Sequence, residues 1–172
     1  MYEIGEQVLY GIHGICTITG IERMRFGKER ANYYVLEPRE QPGAKFYVPV
    51  ANEAAVAKLR SLLSREELLE LLHSEEVRNY PWIADEGQRK LRFKELINSG
   101  DRAQLMGMIG ALHRHRREQQ RLGKRLHQCD DGFLKDAQKM MNAELAYIMG
   151  LEPDEIQPFI RREMGLSEES AI

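Results

Sequence analysis

A chain of 172 residues that is 42% hydrophobic, with a formal net charge of −2, has the apolar material for folded cores and room for one domain or two small ones, with only 167–172 expected as a flexible tail. No apolar run approaches the roughly 20 residues of a membrane span, and the N-terminus lacks a signal peptide's basic and apolar regions, so a cytoplasmic location without membrane contact is expected. Cys16 and Cys129 lie too far apart in a two-cysteine chain to suggest a disulfide framework and are read as free thiols.

Residues 4–49 carry the pattern of short strands. Val8 and Tyr10 alternate at period two, and Gly11 with Gly14 supplies the freedom to reverse the chain. Residues 15–25 are rich in β-branched side chains, and 32–36 form a compact β-forming run. The stretch 45–50 closes the block at Pro49, which a central strand does not hold. Four or five such strands predict a small, strongly bent barrel. Alternation sends about half of Tyr33, Tyr34, Phe46 and Tyr47 inward as core and leaves the others for a partner.

The pattern Gly5-x-x-Val8-x-Tyr10-x-x-His13-Gly14, followed by Ile21-Glu22, Tyr34-Val-Leu36 and Val48-Pro49, resembles the CarD/CdnL family of bacterial transcription regulators. The resemblance implies an SH3/Tudor-like domain over 1–52 that docks on the β subunit of RNA polymerase. The same module recurs in the transcription-repair coupling factor. In relatives, basic residues on these strands meet the polymerase. The candidate contacts here are Arg23, Arg25, Arg30, Tyr34 and Tyr47, with Tyr47, just before Val48-Pro49, making the surface less ionic.

After Pro49 helical spacing begins. A short helix capped by Asn52 is expected to end at 61–63, with Val56 and Leu59 three apart. Ser64-x-x-Glu67 reads as a capping box opening a second helix through Leu72. These helices, over 53–74, are expected to cover one end of the barrel or to link it to the next domain, and 73–85, which contains Asn79-Tyr-Pro-Trp82, marks the junction. An all-α bundle over 75–166 completes an α+β, two-domain fold. In it, Asp85-x-x-Gln88 caps a helix to Ser99, Gly100 suits its C′ position, and Asp101-x-x-Gln104 caps the next. Leu105, Met108, Ile109 and Leu112 form its buried stripe. Gly123 ends that helix. Asp130 or Asp131 is expected to cap another, whose Phe133, Leu134, Ala137, Met140, Met141, Leu145 and Ile148 are core, with Gly150 at its end. Pro153 and Pro158 leave only a short final helix over 159–164. Leu126-x-x-x-Asp130-x-x-x-Leu134-x-x-Ala137 continues the family resemblance, with His127 where many members carry serine.

The net charge of −2 argues against nucleic acid, but the charge is segregated. Residues 87–127 hold eleven Lys and Arg against three Asp and Glu, a local +8 that leaves −10 for the rest. Arg114, Arg117, Arg121 and Lys124 recur at i, i+3, i+7 and i+10, so one helix face can reach successive phosphates without reading sequence. Arg89, Lys90 and Arg92 extend the set; a merely solvated face is the alternative. In relatives a tryptophan at the start of the first basic helix acts as a minor-groove wedge. Trp82 occupies the corresponding junction, about one turn further from Ser99-Gly-Asp101, and packing between the domains beside Tyr80 and Pro81 is the competing reading.

His113, His115, His127 and Cys129 lack the spacing of a metal frame. With no Gly-rich phosphate loop, nucleophile elbow or paired carboxylates in view, neither an enzyme nor a cofactor, metal or small-molecule substrate is expected. Together with the resemblance, these residues predict a non-enzymatic, nucleoid-associated transcription regulator. Its expected partners are the RNA polymerase β subunit and promoter DNA near the melting region. A protein–protein adaptor is the alternative.

Overall fold

The computed structural model describes residues 1–166, and the chain divides into two compact units, Met1–Leu62 and a second beginning at Leu63. The first holds β1 (Gln7–Tyr10), a 3-10 turn (Gly11–His13), β2 (Ile15–Phe26), β3 (Glu29–Pro38), β4 (Phe46–Pro49), the one-turn helix α1 (Glu53–Val56) and β5 (Leu59–Ser61). The strands form one antiparallel sheet in the order β4-β3-β2-β1-β5. Gly11 and Gly14 flank the turn after β1 with φ of 51° and 72°, the left-handed backbone that glycine reaches without a Cβ penalty. β2 and β3 are joined by Gly27-Lys28 alone, with Gly27 at φ 80°, as a two-residue type II′ hairpin turn requires.

Val8, Cys16, Ile18, Tyr34, Leu36, Val48 and Leu59 form the core of this unit. Burial pushes the Cys16 thiol up to about 11. The stretch expected to finish a helix at 61–63 is instead split. Asn52 Oδ1 accepts the Ala55 N–H at 3.0 Å and starts α1, which stops after one turn. Leu59–Ser61 then extends along β1, Tyr10 opposite Leu59 and Val8 opposite Ser61. Pairing the open side of β1 and burying Leu59 outweigh a weak helical spacing.

The second unit is all-α among the described residues: α2 (Arg65–His73), α3 (Glu75–Arg78), α4 (Glu86–Ser99), α5 (Arg102–Arg121), α6 (Gln128–Met149) and α7 (Pro153–Glu163). One apolar cluster holds it together, with Leu68, Leu72, Val77, Phe93, Leu112, Met141 and Ile160 among its buried members. α2, read from sequence as a linking helix, buries Leu68 and Leu72 in this cluster and so belongs to the second unit, and α3, in the stretch read as a junction without helical periodicity, adds Val77. The expected caps at Ser64, Asp85 and Asp101 are formed.

Two helix starts differ from expectation. α6 begins at Gln128, where His127 Nδ1 accepts the Cys129 N–H at 3.4 Å, because the Asp130 carboxylate is occupied elsewhere. α7 begins at Pro153, six residues early. Proline at the first helical position sacrifices no hydrogen bond. Pro158 removes one bond inside the helix, but its acceptor belongs to the exposed Asp154, so water can take the donor's place.

Candidate nucleic-acid and partner interfaces

The segment between α3 and α4 carries Trp82, and two arginines expected at DNA hold it instead. Arg89 lies in the first turn of α4 and is only 6% exposed. Its Nε and Nη2 donate to Asp130 Oδ1 and Oδ2, each at 2.9 Å, and its Nη1 donates to the Ile83 and Ala84 carbonyls at 2.9 and 3.2 Å. A buried cation persists only with such complete pairing. Arg114, one side of α5, donates from Nη1 to the Arg78 carbonyl at 3.1 Å and from Nη2 to the Tyr80 carbonyl at 2.9 Å; burial lowers its pKa. Neither residue is an open phosphate contact in this arrangement.

Gly107 completes the support. A Cβ there would stand 2.4 Å from Tyr80 Cδ2, so the bare helix backbone is what lets the Tyr80 ring lie against α5. Trp82 is half-buried. His115 stacks on it with centroids 3.9 Å apart at 14°, the Arg89 guanidinium lies over the ring at 4.6 Å, and Phe93 meets it edge-on at 6.5 Å. Within the helical unit Trp82 is a packed residue.

The rest of the basic set separates by partner. Lys90 pairs with Glu86, which holds that carboxyl below its usual range. Arg92 reaches Glu95 at 3.3 Å and Gln104 at 3.4 Å. Arg102 is paired with the buried Glu144 at 2.7 and 2.8 Å. Glu86, Asp130 and Glu144 all lie outside 87–127, so folding draws acids from elsewhere into the basic segment. The C-terminal end of α5 carries a further group of cations. Arg117 and Arg121 share a face with Arg114 and line an open groove, and Lys124 and Arg125 are exposed just beyond. Lys124 is not on the helix. Its N–H donates to the Gln119 carbonyl at 2.8 Å and that of Gly123, at φ 70°, to Gln120 at 3.0 Å, a Schellman stop. The expected four-residue helical stripe is thus three residues followed by a loop.

In the first unit Arg23, Arg25 and Arg30 are exposed along one face of the β2–β3 hairpin. Arg25 stands directly opposite Arg30, and Arg23 opposite Asn32. Like charges across a ladder are unfavourable on their own, so this face suits an acidic partner. Tyr34, expected beside them, is 1% exposed and belongs to the core; its hydroxyl accepts the Tyr2 N–H at 3.2 Å. Tyr47 points to the opposite face, in a cluster with Tyr33 and Phe26, Phe26 lying 5.0 Å from Tyr33 and 5.8 Å from Tyr47. Sequence reasoning passed over Phe26, 53% exposed; its signal was an aromatic next to a Gly-Lys turn, where a core residue has no place.

Of the histidines, His113 is buried. Arg116 Nη2 donates to its Nδ1 at 2.9 Å and the Gln138 amide lies 3.1 Å from its Nε2. Burial first, then Arg116 and Arg161, push its pKa down to about 4. No helix of the described residues is long and apolar enough to cross a membrane.

Residues 2–61 match the family described as the CarD-like/TRCF RID domain, which is the first unit almost to its boundary. The chain as a whole is 24% identical, over 165 residues, to YdeB of Bacillus subtilis (strain 168), a protein named as a candidate transcription factor. That similarity covers 92% of this chain and 99% of the relative. The first unit is a CarD-like/TRCF RID domain, as the Gly5 to Pro49 pattern suggested.

Proposed function

We propose, from the premise that residues 2–61 are a CarD-like/TRCF RID domain, that the chain is a non-enzymatic transcription regulator. That match carries the reading. The sheet of the first unit, folded as a Tudor-like barrel, tethers the protein to the RNA polymerase β subunit through Arg23, Arg25 and Arg30. A partly opposed arginine face favours an acidic docking surface and speeds encounter with it.

The helical bundle contacts promoter DNA through Arg117, Arg121, Lys124 and Arg125. Contacts of this kind go to the backbone and release counterions, so they provide affinity without sequence readout. Recruitment by polymerase then selects the promoters. In this reading Trp82, stacked on His115 and beneath the Arg89 guanidinium, packs the bundle that carries the basic surface. The likeness to a candidate transcription factor along almost the whole chain supports a single regulatory role for both units. The lifetime of promoter open complexes after heparin challenge tests the proposal. The full chain should change that lifetime and a variant with Arg117, Arg121 and Lys124 replaced by Gln should not; equal effects of the two would remove the DNA contact from the mechanism.

A further inference from the structure

The segment 79–83, with α3, α4 and α5, bounds an open groove of about 590 Å³, within the roughly 300–1,000 Å³ of ligand sites. Tyr80, Pro81 and Ile83 give it an apolar wall. Asn79 and Gln88 add two carboxamides that form no side-chain hydrogen bond among the described residues. The remaining wall is already satisfied. Gln104 donates from Nε2 to Glu76 Oε1 at 2.7 Å and accepts from Arg92 Nη2 at 3.4 Å, and Arg92 also reaches Glu95. With one cation and one carboxylate in its lining, the groove has no surplus charge with which to select an anion.

The apolar wall is held in place from both ends. Arg114 donates to the Arg78 and Tyr80 carbonyls, Arg89 to those of Ile83 and Ala84, and Gly107 lets the Tyr80 ring lie against α5. The two arginines that are not open to phosphate thus fix the surface of the groove, and a surface fixed beforehand loses little freedom when a ligand arrives. What it presents is a flat aromatic and apolar wall beside two carboxamides, each a paired donor and acceptor. Nucleobases offer the complementary features, a π-face and an edge of paired donors and acceptors. Because a carboxamide can turn to suit either order of donor and acceptor, no one base is favoured.

We propose that this groove receives an unstacked base of single-stranded DNA. A base that is already unpaired avoids the cost of leaving a stack and a pair, so the groove distinguishes a melted strand from a duplex. The inference rests on the DNA reading above and adds a contact that a duplex cannot make. The cations at the end of α5 hold the backbone of either form, whereas the groove acts only on the melted one. Gln104 and Arg117 lie about 20 Å apart along α5, so a strand of about twelve nucleotides is long enough to span both. A base held in the groove opposes reannealing and lengthens the life of an open complex.

Fluorescence anisotropy of the full chain with end-labelled probes of about twelve nucleotides tests it: a single strand, its duplex, and a strand of the same length whose central positions lack bases. The single strand should bind at least about fivefold tighter than the base-free strand, which carries the same phosphates. Asn79→Ala with Gln88→Ala should abolish that difference and leave the duplex and the base-free strand within about twofold of wild type. Both positions are exposed; should the double variant lack a cooperative melt, Gln88→Ala alone should reduce the difference. Equal binding of the single and base-free strands by wild type, or an undiminished difference in the variant, overturns the proposal. So does an equal loss on all the probes, which would assign the two side chains to the backbone. If wild type binds none of the probes, the DNA reading itself fails. If Gln at Arg117, Arg121 and Lys124 weakens every probe while wild type shows no preference for bases, that reading stands and only the groove is overturned.

Discussion

Removing Asp130 separates the two roles open to Arg89. The pair is side-on with both bonds at 2.9 Å, Arg89 being 6% and Asp130 1% exposed. Asp130→Ala leaves the guanidinium buried against two carbonyls with no counter-charge, and breaking a buried pair in this way costs about 3–5 kcal/mol. For a unit of this size 1 kcal/mol moves the melting midpoint by about 4 °C, so the helical unit should melt roughly 12–20 °C lower. Because Arg89 also lies over Trp82, the emission of the only tryptophan in the chain should shift to the red below that transition. Replacing both partners, Arg89→Met with Asp130→Leu, should recover most of the loss and bind a DNA duplex within about twofold of wild type. Thermal melts and fluorescence anisotropy read both quantities. A variant lacking Asp130 that melts within about 2 °C of wild type, or a folded double variant about tenfold weaker on DNA, would refute the structural role.

Three further outcomes follow from the geometry. Gly107→Ala forces a Cβ to 2.4 Å from Tyr80, and overpacking of this kind should cost about 1–3 kcal/mol, seen as a lower melt with polymerase binding unchanged. His113 titrates near 4 when folded against an ordinary 6.5, so the unfolded chain takes up a proton first as pH falls. Its contribution is complete above about 6.5 and is lost between there and about 4, by roughly 3 kcal/mol at about 1.4 kcal/mol per unit. His113→Gln should flatten the dependence of melting temperature on pH in that window, and an unchanged slope would contradict the buried neutral ring. Replacing Arg117, Arg121 and Lys124 by Gln should weaken binding to unrelated duplexes alike and reduce the slope of log K against log salt by about 2–3; an unaltered slope would show that these cations face no phosphate.

Features fixed by local chemistry were readable from the sequence. Strand alternation at Val8, the turn glycines, the caps at Asp85 and Asp101 and the stop at Gly100 each depend on a few neighbouring residues. β5 was not readable, because a three-residue strand with one buried side chain, Leu59, imitates helical spacing when its partner β1 is fifty residues away. Asp130 looked like a cap for the same reason: its partner, Arg89, is 41 positions distant. The charge count located a basic segment but not the acids that Glu86, Asp130 and Glu144 bring to it. It therefore overstated Arg89 and Arg114. One neglected signal was available. Gly107 and Gly110 lie inside a helix, where each costs about 1 kcal/mol relative to alanine, and such glycines point to a close approach.

Polymerase binding through the arginine face of the β2–β3 hairpin is open to direct measurement. Biolayer interferometry of the full chain on purified RNA polymerase core should give saturable binding that Arg23→Glu, Arg25→Glu and Arg30→Glu together weaken by at least about tenfold, and that the Gln substitutions at Arg117, Arg121 and Lys124 leave unchanged. No binding by the wild-type chain, or loss of binding only with the α5 substitutions, would contradict it.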